Sequence, residues 1–125
     1  MEGTYVNVLI AENEFTTADV IQRTVENMGH RTDWVCTGPE TLNSLASNPC
    51  QLVILSAQLR DADIMELLPD LRKRYPDIPV VALTSRNSLA LEQQVRQMGV
   101  IYYLIKPLDI DELGSIVSHV SHKQA

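Results

Sequence analysis

The sequence contains few cysteines and few basic residues. Cys36 and Cys50 are the two cysteines among 125 residues, and their spacing fits neither a metal site nor a disulfide framework. In a reducing cytosol we expect both to be free thiols. Lysine and arginine number 10 against 16 acidic residues, giving a net charge of −6. Because affinity for nucleic acid depends largely on cationic side chains that neutralise phosphates, this composition argues against nucleic-acid binding.

Long apolar runs are also missing. No stretch approaches the roughly 20 apolar residues that a membrane-spanning helix requires. Residues 1–4 lack the basic and apolar regions that begin a signal peptide, so we expect a cytoplasmic protein. The 125 residues suit one domain, covering 1–125, with a core of its own.

What the sequence does contain is a regular alternation of two patterns. Helix-period segments fill the gaps between short apolar runs typical of strands, and these runs start near Tyr5, Arg31, Leu52, Ile78 and Val100. Five βα units predict an α/β fold, a parallel sheet with five helices covering both faces. Right-handed crossovers favour the flavodoxin-like, doubly wound strand order 2-1-3-4-5, with a site at the carboxyl ends of the strands.

Several helix boundaries are marked by capping residues. Thr16–Asp19 predicts a capping box for the first helix, Thr37 with Pro39 predicts the start of the second, and Asp63 predicts the start of the third. The tail, residues 121–125, is expected to fray.

Polar residues follow four of the predicted strands. Glu12 and Asn13 follow the first, Ser56 ends the third, Thr84 ends the fourth, and Lys106 follows the fifth. The topology predicts that these five side chains meet at one edge of the sheet, which is a stronger indication of a functional site than any one of them alone.

In order and spacing, four segments resemble the receiver domain of bacterial two-component response regulators. The resemblance covers nearly the whole chain and is carried by Ala11–Glu14, Leu52–Ser56, Leu83–Ser85 and Tyr103–Pro107. It implies that Ser56 stands where the family has the aspartate that accepts a phosphoryl group.

The resemblance also implies a metal site. Glu12 and Asn13 match the family's acidic pair, whose second member binds Mg²⁺, and the backbone carbonyl of Gln58 matches a third ligand. The family's site carries three carboxylates and one ammonium, whereas Glu12 and Lys106 cancel here. Because Mg²⁺ prefers carboxylate oxygen, we expect its binding to be lost or very weak, and we expect no other cofactor or metal.

Further roles are implied for the residues after the last two strands. Thr84 matches the hydroxyl that moves toward the phosphoryl group, and Tyr103 matches an aromatic side chain that switches rotamer. Lys106 matches the lysine that contacts phosphate, and in this context we expect it to point inward and to pair with Glu12. The family's bond between this lysine and the following proline, here Pro107, is cis. Simpler interpretations remain open: Thr84 could only satisfy loop amides, and Tyr103 could be a half-buried edge residue.

A serine at the acceptor position changes the expected chemistry. A serine hydroxyl needs a neighbouring base to act as a nucleophile, and His30, His119 and His122 are all remote from Ser56 along the chain. The simpler interpretation of Ser56 is a strand-end residue hydrogen-bonded to backbone.

Two functional hypotheses follow. The first is a pseudo-receiver that is not an enzyme and acts, without phosphorylation, by binding a signalling protein or a second copy of itself. The expected surface is helix 4, strand 5 and helix 5, with Arg86, Gln93, Arg96, Gln97, Tyr102 and Tyr103. The alternative is a receiver still phosphorylated at Asp61, Asp63 or Ser56 by a histidine kinase or small phosphodonor. A flavin or nucleotide binder is disfavoured, because the bulky acidic loop Glu12–Phe15 would repel phosphates.

Overall fold

The computed structural model describes residues 5–124, and the expectations for residues 1–4 and 125 lie outside that range. Strands and helices alternate along the chain, as the sequence predicts. The elements are β1 (Asn7–Ala11), α1 (Phe15–Asn27), β2 (Arg31–Val35), α2 (Gly38–Ser47), β3 (Leu52–Ser56), α3 (Ile64–Arg74), β4 (Val80–Thr84), α4 (Leu89–Gln97), β5 (Tyr102–Ile105) and α5 (Ile110–Gln124).

All neighbouring strands are parallel, in the order β2-β1-β3-β4-β5, which confirms the flavodoxin-like topology. Three strands begin two residues later than their apolar runs. For β4 the reason is local, because Pro79 has no backbone N–H with which to continue the ladder. Its carbonyl still accepts a hydrogen bond from the Val53 amide at 3.0 Å.

The central strands are buried on both faces because successive side chains point to opposite sides of the sheet. On one side Ile10, Ile54 and Leu83 belong to the core that α1 and α5 cover. On the other side Leu55 and Ala82 belong to the core that α2, α3 and α4 cover. This two-sided burial fixes the carboxyl ends of β1, β3 and β4 relative to one another.

The two edges of the sheet differ in composition. Strand β2 carries the exposed charged residues Arg31 and Asp33, whereas β5 contains no charged residue and exposes Tyr102 and Ile105. Charges on an edge strand oppose pairing with another sheet.

The capping predictions for α2 and α3 are confirmed. The Thr37 hydroxyl accepts a hydrogen bond from the Glu40 amide at 3.2 Å, and the Glu40 carboxylate accepts from the Thr37 amide in return. The Asp63 carboxylate accepts from the Glu66 amide at 3.1 Å at the start of α3.

The prediction for the start of α1 is wrong. The helix begins at Phe15, its N-cap is Glu14, and no side chain caps it. The first turn closes through the backbone, since the Ala18 amide donates to the Glu14 carbonyl at 3.0 Å. Thr16, the capping residue of the predicted box, lies inside the first turn, and the neighbouring Thr17 hydroxyl donates to the Glu14 carboxylate.

The expectation that residues 121–125 fray is also wrong for residues 121–124, because α5 continues to Gln124. Val120 and Ser121 are buried, so packing holds α5 as far as Ser121, and residues 122–124 continue the helix with exposed side chains. Cys36 and Cys50 are free. Within the described range, no helix combines the length and apolar character needed to cross a bilayer.

His30 makes the stability of this fold depend on pH. Its Nδ1 accepts a hydrogen bond from the buried Val6 amide at 3.0 Å, and burial lowers the His30 pKa below 6.5. The folded state therefore favours the neutral ring, while the unfolded chain takes up a proton near pH 6.5. We expect the free energy of unfolding to fall as pH drops below about 6.5, measured by urea denaturation at a series of pH values.

His119 provides the matched control because it is exposed on α5. His30→Gln should flatten this part of the pH profile, whereas His119→Gln should keep the wild-type profile. Equal profiles for wild type and His30→Gln would contradict the assignment to His30.

Candidate functional site

A cleft of about 340 Å³ opens at the carboxyl ends of β1, β3, β4 and β5. It lies where parallel α/β sheets place their functional sites. Its lining is mostly polar and consists of Asn13, Glu14, Ser56, Ala57, Gln58, Thr84, Ser85, Arg86 and Lys106.

Glu12 lies directly behind this cleft and is fully buried. Its Oε2 accepts a hydrogen bond from the Glu14 amide at 2.8 Å. Its backbone carbonyl accepts a hydrogen bond from the Trp34 indole at 2.6 Å, which fixes the β1–α1 loop to β2. Its Oε1 lies 2.9 Å from the Lys106 ammonium, so the predicted inward ion pair is confirmed.

Ser56 closes the floor of the cleft and is only 4% exposed. Its hydroxyl donates to the Gln58 carbonyl at 3.1 Å. The Asn13 side-chain amide is oriented so that its nitrogen donates hydrogen bonds to the same Gln58 carbonyl (3.2 Å) and to Glu12 Oε2 (3.1 Å). The Gln58 carbonyl oxygen and Glu12 Oε2 therefore already accept hydrogen bonds from donors within the protein.

Thr84 and Tyr103 both hold the loop between β4 and α4. The buried Thr84 hydroxyl accepts a hydrogen bond from the Arg86 amide at 3.0 Å. The half-buried Tyr103 hydroxyl donates to the carbonyls of Arg86 (3.3 Å) and Ser88 (3.4 Å). Burial raises the pKa of Tyr103, so the phenol is a donor at neutral pH.

Lys106 contacts a second carboxylate in addition to Glu12. Its Nζ lies 3.6 Å from Glu14 Oε1. The Thr17 hydroxyl, and after it the charge of Lys106, lower the pKa of Glu14, which keeps this carboxylate ionised. The Lys106–Pro107 peptide bond is cis.

The two aspartates considered as displaced nucleophiles do not line the cleft. Asp61 Oδ1 accepts a hydrogen bond from the Gly38 amide at the start of α2, at 3.0 Å. Asp63 caps α3. His30, His119 and His122 are likewise absent from the cleft lining.

Sequence reasoning missed the roles of Glu14, Arg86 and Trp34. Glu14 appeared only as part of a bulky acidic loop, yet it is the second partner of Lys106. Arg86 was assigned to an outer surface, and it also lines the cleft. The sequence did indicate their position, because Glu14 lies two residues after Glu12 and Arg86 lies two residues after Thr84. Trp34 comes from the neighbouring strand β2, so no local pattern indicated its contact.

The residues around the cleft do not fit a Mg²⁺ ion. They offer one buried carboxylate, which already contacts an ammonium, and a Gln58 carbonyl that already accepts hydrogen bonds from Ser56 and Asn13. Mg²⁺ is bound in proteins mainly through carboxylates and keeps its waters tightly. Within residues 5–124, no group of three or more His, Cys, Asp or Glu side chains is arranged to hold a metal ion.

Comparison with known proteins identifies the family. The family model described as the response regulator receiver domain matches residues 8–118. The chain therefore belongs to the receiver domains of response regulators, a family of signalling domains.

Individual relatives agree with this assignment. The chain is 26% identical over 118 residues to transcriptional regulatory protein ZraR of Klebsiella oxytoca, covering 94% of this chain and 27% of ZraR. It is 28% identical over 118 residues to the DNA-binding transcriptional regulator NtrC of Escherichia coli K12, covering 94% of this chain and 25% of NtrC. The chain thus spans only about a quarter of these relatives.

A solved structure resembles the chain over nearly its full length. The receiver domain of the Francisella response regulator 1452 superposes with a TM-score of 0.88 at 27% identity, covering 96% of this chain and 99% of that one.

Proposed function

We propose that this receiver domain signals through protein–protein contacts and does not depend on phosphorylation. The observation that carries the proposal is Ser56, which occupies the acceptor position implied by the resemblance. Its hydroxyl is buried at the floor of the cleft and donates to the Gln58 carbonyl. In this role the chain is a signalling module and not an enzyme, and we place it in the cytoplasm.

The chemistry of the cleft supports the loss of phosphoryl transfer. A serine becomes a nucleophile only beside a base that takes its proton, and the Ser56 proton points to an amide carbonyl, which is not a base. Asp61 and Asp63 are engaged at the starts of α2 and α3. The poor fit to Mg²⁺ removes the cation that would offset the charge of an incoming phosphodonor, so we propose that the domain works without a cofactor.

The surface formed by α4, β5 and α5 supports the proposed protein contact. Five large apolar side chains are exposed on or next to these elements, namely Leu89, Ile101, Tyr102, Ile105 and Ile110, and exposed apolar residues on neighbouring elements can form an interaction site. Receiver domains interact with proteins such as kinases and effector domains. We propose that a signalling protein or a second copy of this chain binds this surface, and that nucleic acid and membranes do not.

The decisive experiment is incubation of the chain with acetyl phosphate and Mg²⁺, followed by intact-mass measurement. We expect no phosphoryl adduct, while an aspartate-bearing receiver domain treated in the same way becomes modified. An adduct on the wild-type chain would contradict the proposal.

Three variants would then locate that adduct. Loss of the adduct in Ser56→Ala, Asp61→Asn or Asp63→Asn would establish the alternative function, a receiver phosphorylated at the corresponding residue.

A further inference from the structure

We infer that a cavity at the amino ends of β1 and β2 binds a basic α-amino acid such as L-lysine. The cavity has a volume of about 550 Å³ and lies at the opposite end of the sheet from the cleft. This volume is within the range of small-molecule sites in proteins. The charged residues of the cavity, Glu26, Arg31 and Asp33, have no part in the proposed function, so a negative result here would leave that function untouched.

Three charged side chains line the cavity without neutralising one another. Glu26 lies in the last turn of α1, and Arg31 and Asp33 lie on β2. Within the part of the chain that the structure describes, none of the three forms a salt bridge. The Glu26 carboxylate accepts a hydrogen bond from the Thr32 hydroxyl, and the Arg31 guanidinium lies 5.7 Å from the centre of the Tyr5 ring. Neither contact cancels a charge, so the cavity presents two negative charges and one positive charge.

The two helices that end beside the cavity add to its attraction for cations. Helix α1 ends at Asn27 and α2 ends at Ser47, and neither has a basic residue in its last turn. The last turns of α3, α4 and α5 all contain basic residues. Because the carbonyl end of a helix carries a partial negative charge, the ends of α1 and α2 favour an ammonium group here in addition to the two carboxylates.

His30 supplies a hydrogen-bond donor for a group of the opposite charge. Its Nδ1 accepts a hydrogen bond from the Val6 amide at 3.0 Å, so the neutral ring carries its proton on Nε2. The His30 side chain is only 9% exposed and lines the cavity. Among the described residues its Nε2 has no hydrogen-bond partner. A metal ion on Nε2 would force the proton onto Nδ1, against the Val6 amide, so the group that fits Nε2 is an acceptor such as a carboxylate.

A basic α-amino acid carries the complementary set of charges. Its two ammonium groups match the carboxylates of Glu26 and Asp33. Its carboxylate matches the Arg31 guanidinium and the Nε2–H group of His30, which are charge-assisted or neutral donors to the same anion. A diamine lacks the carboxylate, and an amino acid with an apolar side chain lacks the second ammonium, so each leaves one side of the cavity without a partner.

The test is calorimetric titration of the whole chain with three matched ligands. Cadaverine is L-lysine without its carboxylate, and L-norleucine has a methyl group where L-lysine has its side-chain ammonium. We expect saturable binding of L-lysine, at least tenfold tighter than that of either analogue. Amide chemical shifts measured by NMR should change at residues 31–33 and not at the residues of the cleft.

Variants then assign the charges. Asp33→Asn removes one carboxylate from the cavity and should weaken L-lysine binding at least fivefold. Asp111→Asn removes an equal charge from an exposed position on α5 outside the cavity, and it should change the affinity less than twofold. Arg31→Met removes a partner of the ligand carboxylate, so L-lysine should then lose most of its advantage over cadaverine.

Several results would overturn this assignment. These are a flat titration with L-lysine, equal affinity for the three ligands, or chemical-shift changes confined to the cleft. An effect of Asp111→Asn as large as that of Asp33→Asn would also contradict it, because the overall charge of the protein and not the cavity would then attract the ligand. The comparison of the three ligands uses the wild-type chain, so a substitution that impairs folding leaves it intact.

Discussion

Ser56→Asp combined with Asn13→Asp is expected to give a chain that binds Mg²⁺ measurably. The two substitutions place a carboxylate at the floor of the cleft and another beside Glu12, while Lys106 stays in place. Because two negative charges are added among oxygen ligands, the cleft gains the donors that Mg²⁺ prefers. Calorimetric titration with MgCl₂ measures the effect, and we expect a clear binding isotherm where wild type gives none.

The control for this prediction is a variant with the same shape and no added charge. Ser56→Asn matches Ser56→Asp in size but remains neutral, so we expect it to leave Mg²⁺ binding undetectable. A flat titration of the folded double variant would mean that the loop after β3, which Asp61 fixes to α2, is the obstacle and not the charge.

Tyr102→Asp is expected to weaken self-association at least tenfold. Tyr102 is 37% exposed on the edge strand β5, at the centre of the proposed interface. Aromatic residues at the centre of an interface often contribute about 2 kcal/mol or more to binding, and an aspartate there would be buried without a partner. Sedimentation equilibrium of wild type and variant over a range of concentrations measures the dimer dissociation constant.

Val20 on α1 offers a control with almost the same exposure, 38%. Val20→Asp should leave the dissociation constant unchanged, because α1 lies outside the proposed surface. A larger effect from Val20→Asp than from Tyr102→Asp would place the interface elsewhere. A wild-type chain that stays monomeric at all concentrations would leave another signalling protein as the proposed partner.

The fold could be predicted from the sequence because each element carries its own evidence. The β-branched apolar runs indicate buried strands, and Thr37 and Asp63 mark the helix starts where the structure has them. Once the sheet is parallel, its topology brings Glu12 and Lys106 to the same end of the sheet. The prediction that they pair also required the resemblance, which places Lys106 before a proline in the family's pattern.

Contacts that depend on which group a side chain meets in the folded chain, and not on its spacing in the sequence, could not be predicted. Thr16 has the spacing of a capping residue, yet α1 begins one residue earlier, at Phe15, and no side chain caps it. Asp61 contacts the Gly38 amide across 23 positions of sequence, and Lys106 meets Glu14 through side-chain conformation. The roles implied for Ser56, Thr84 and Tyr103 stay predictions. Each role is a change in covalent state or in side-chain conformation, whereas the structure gives the position of each side chain in one state.

The unlike edges of the sheet limit how copies of this chain can assemble. When two molecules contact each other through their uncharged β5 edges, the two sheet edges that remain free in the pair are both β2 strands. Each β2 strand exposes Arg31 and Asp33, and these charges oppose pairing with a further sheet. Such an arrangement is symmetric and closed after two molecules. Growth into filaments would require β2 to accept another sheet, so self-association of this domain is expected to stop at a pair.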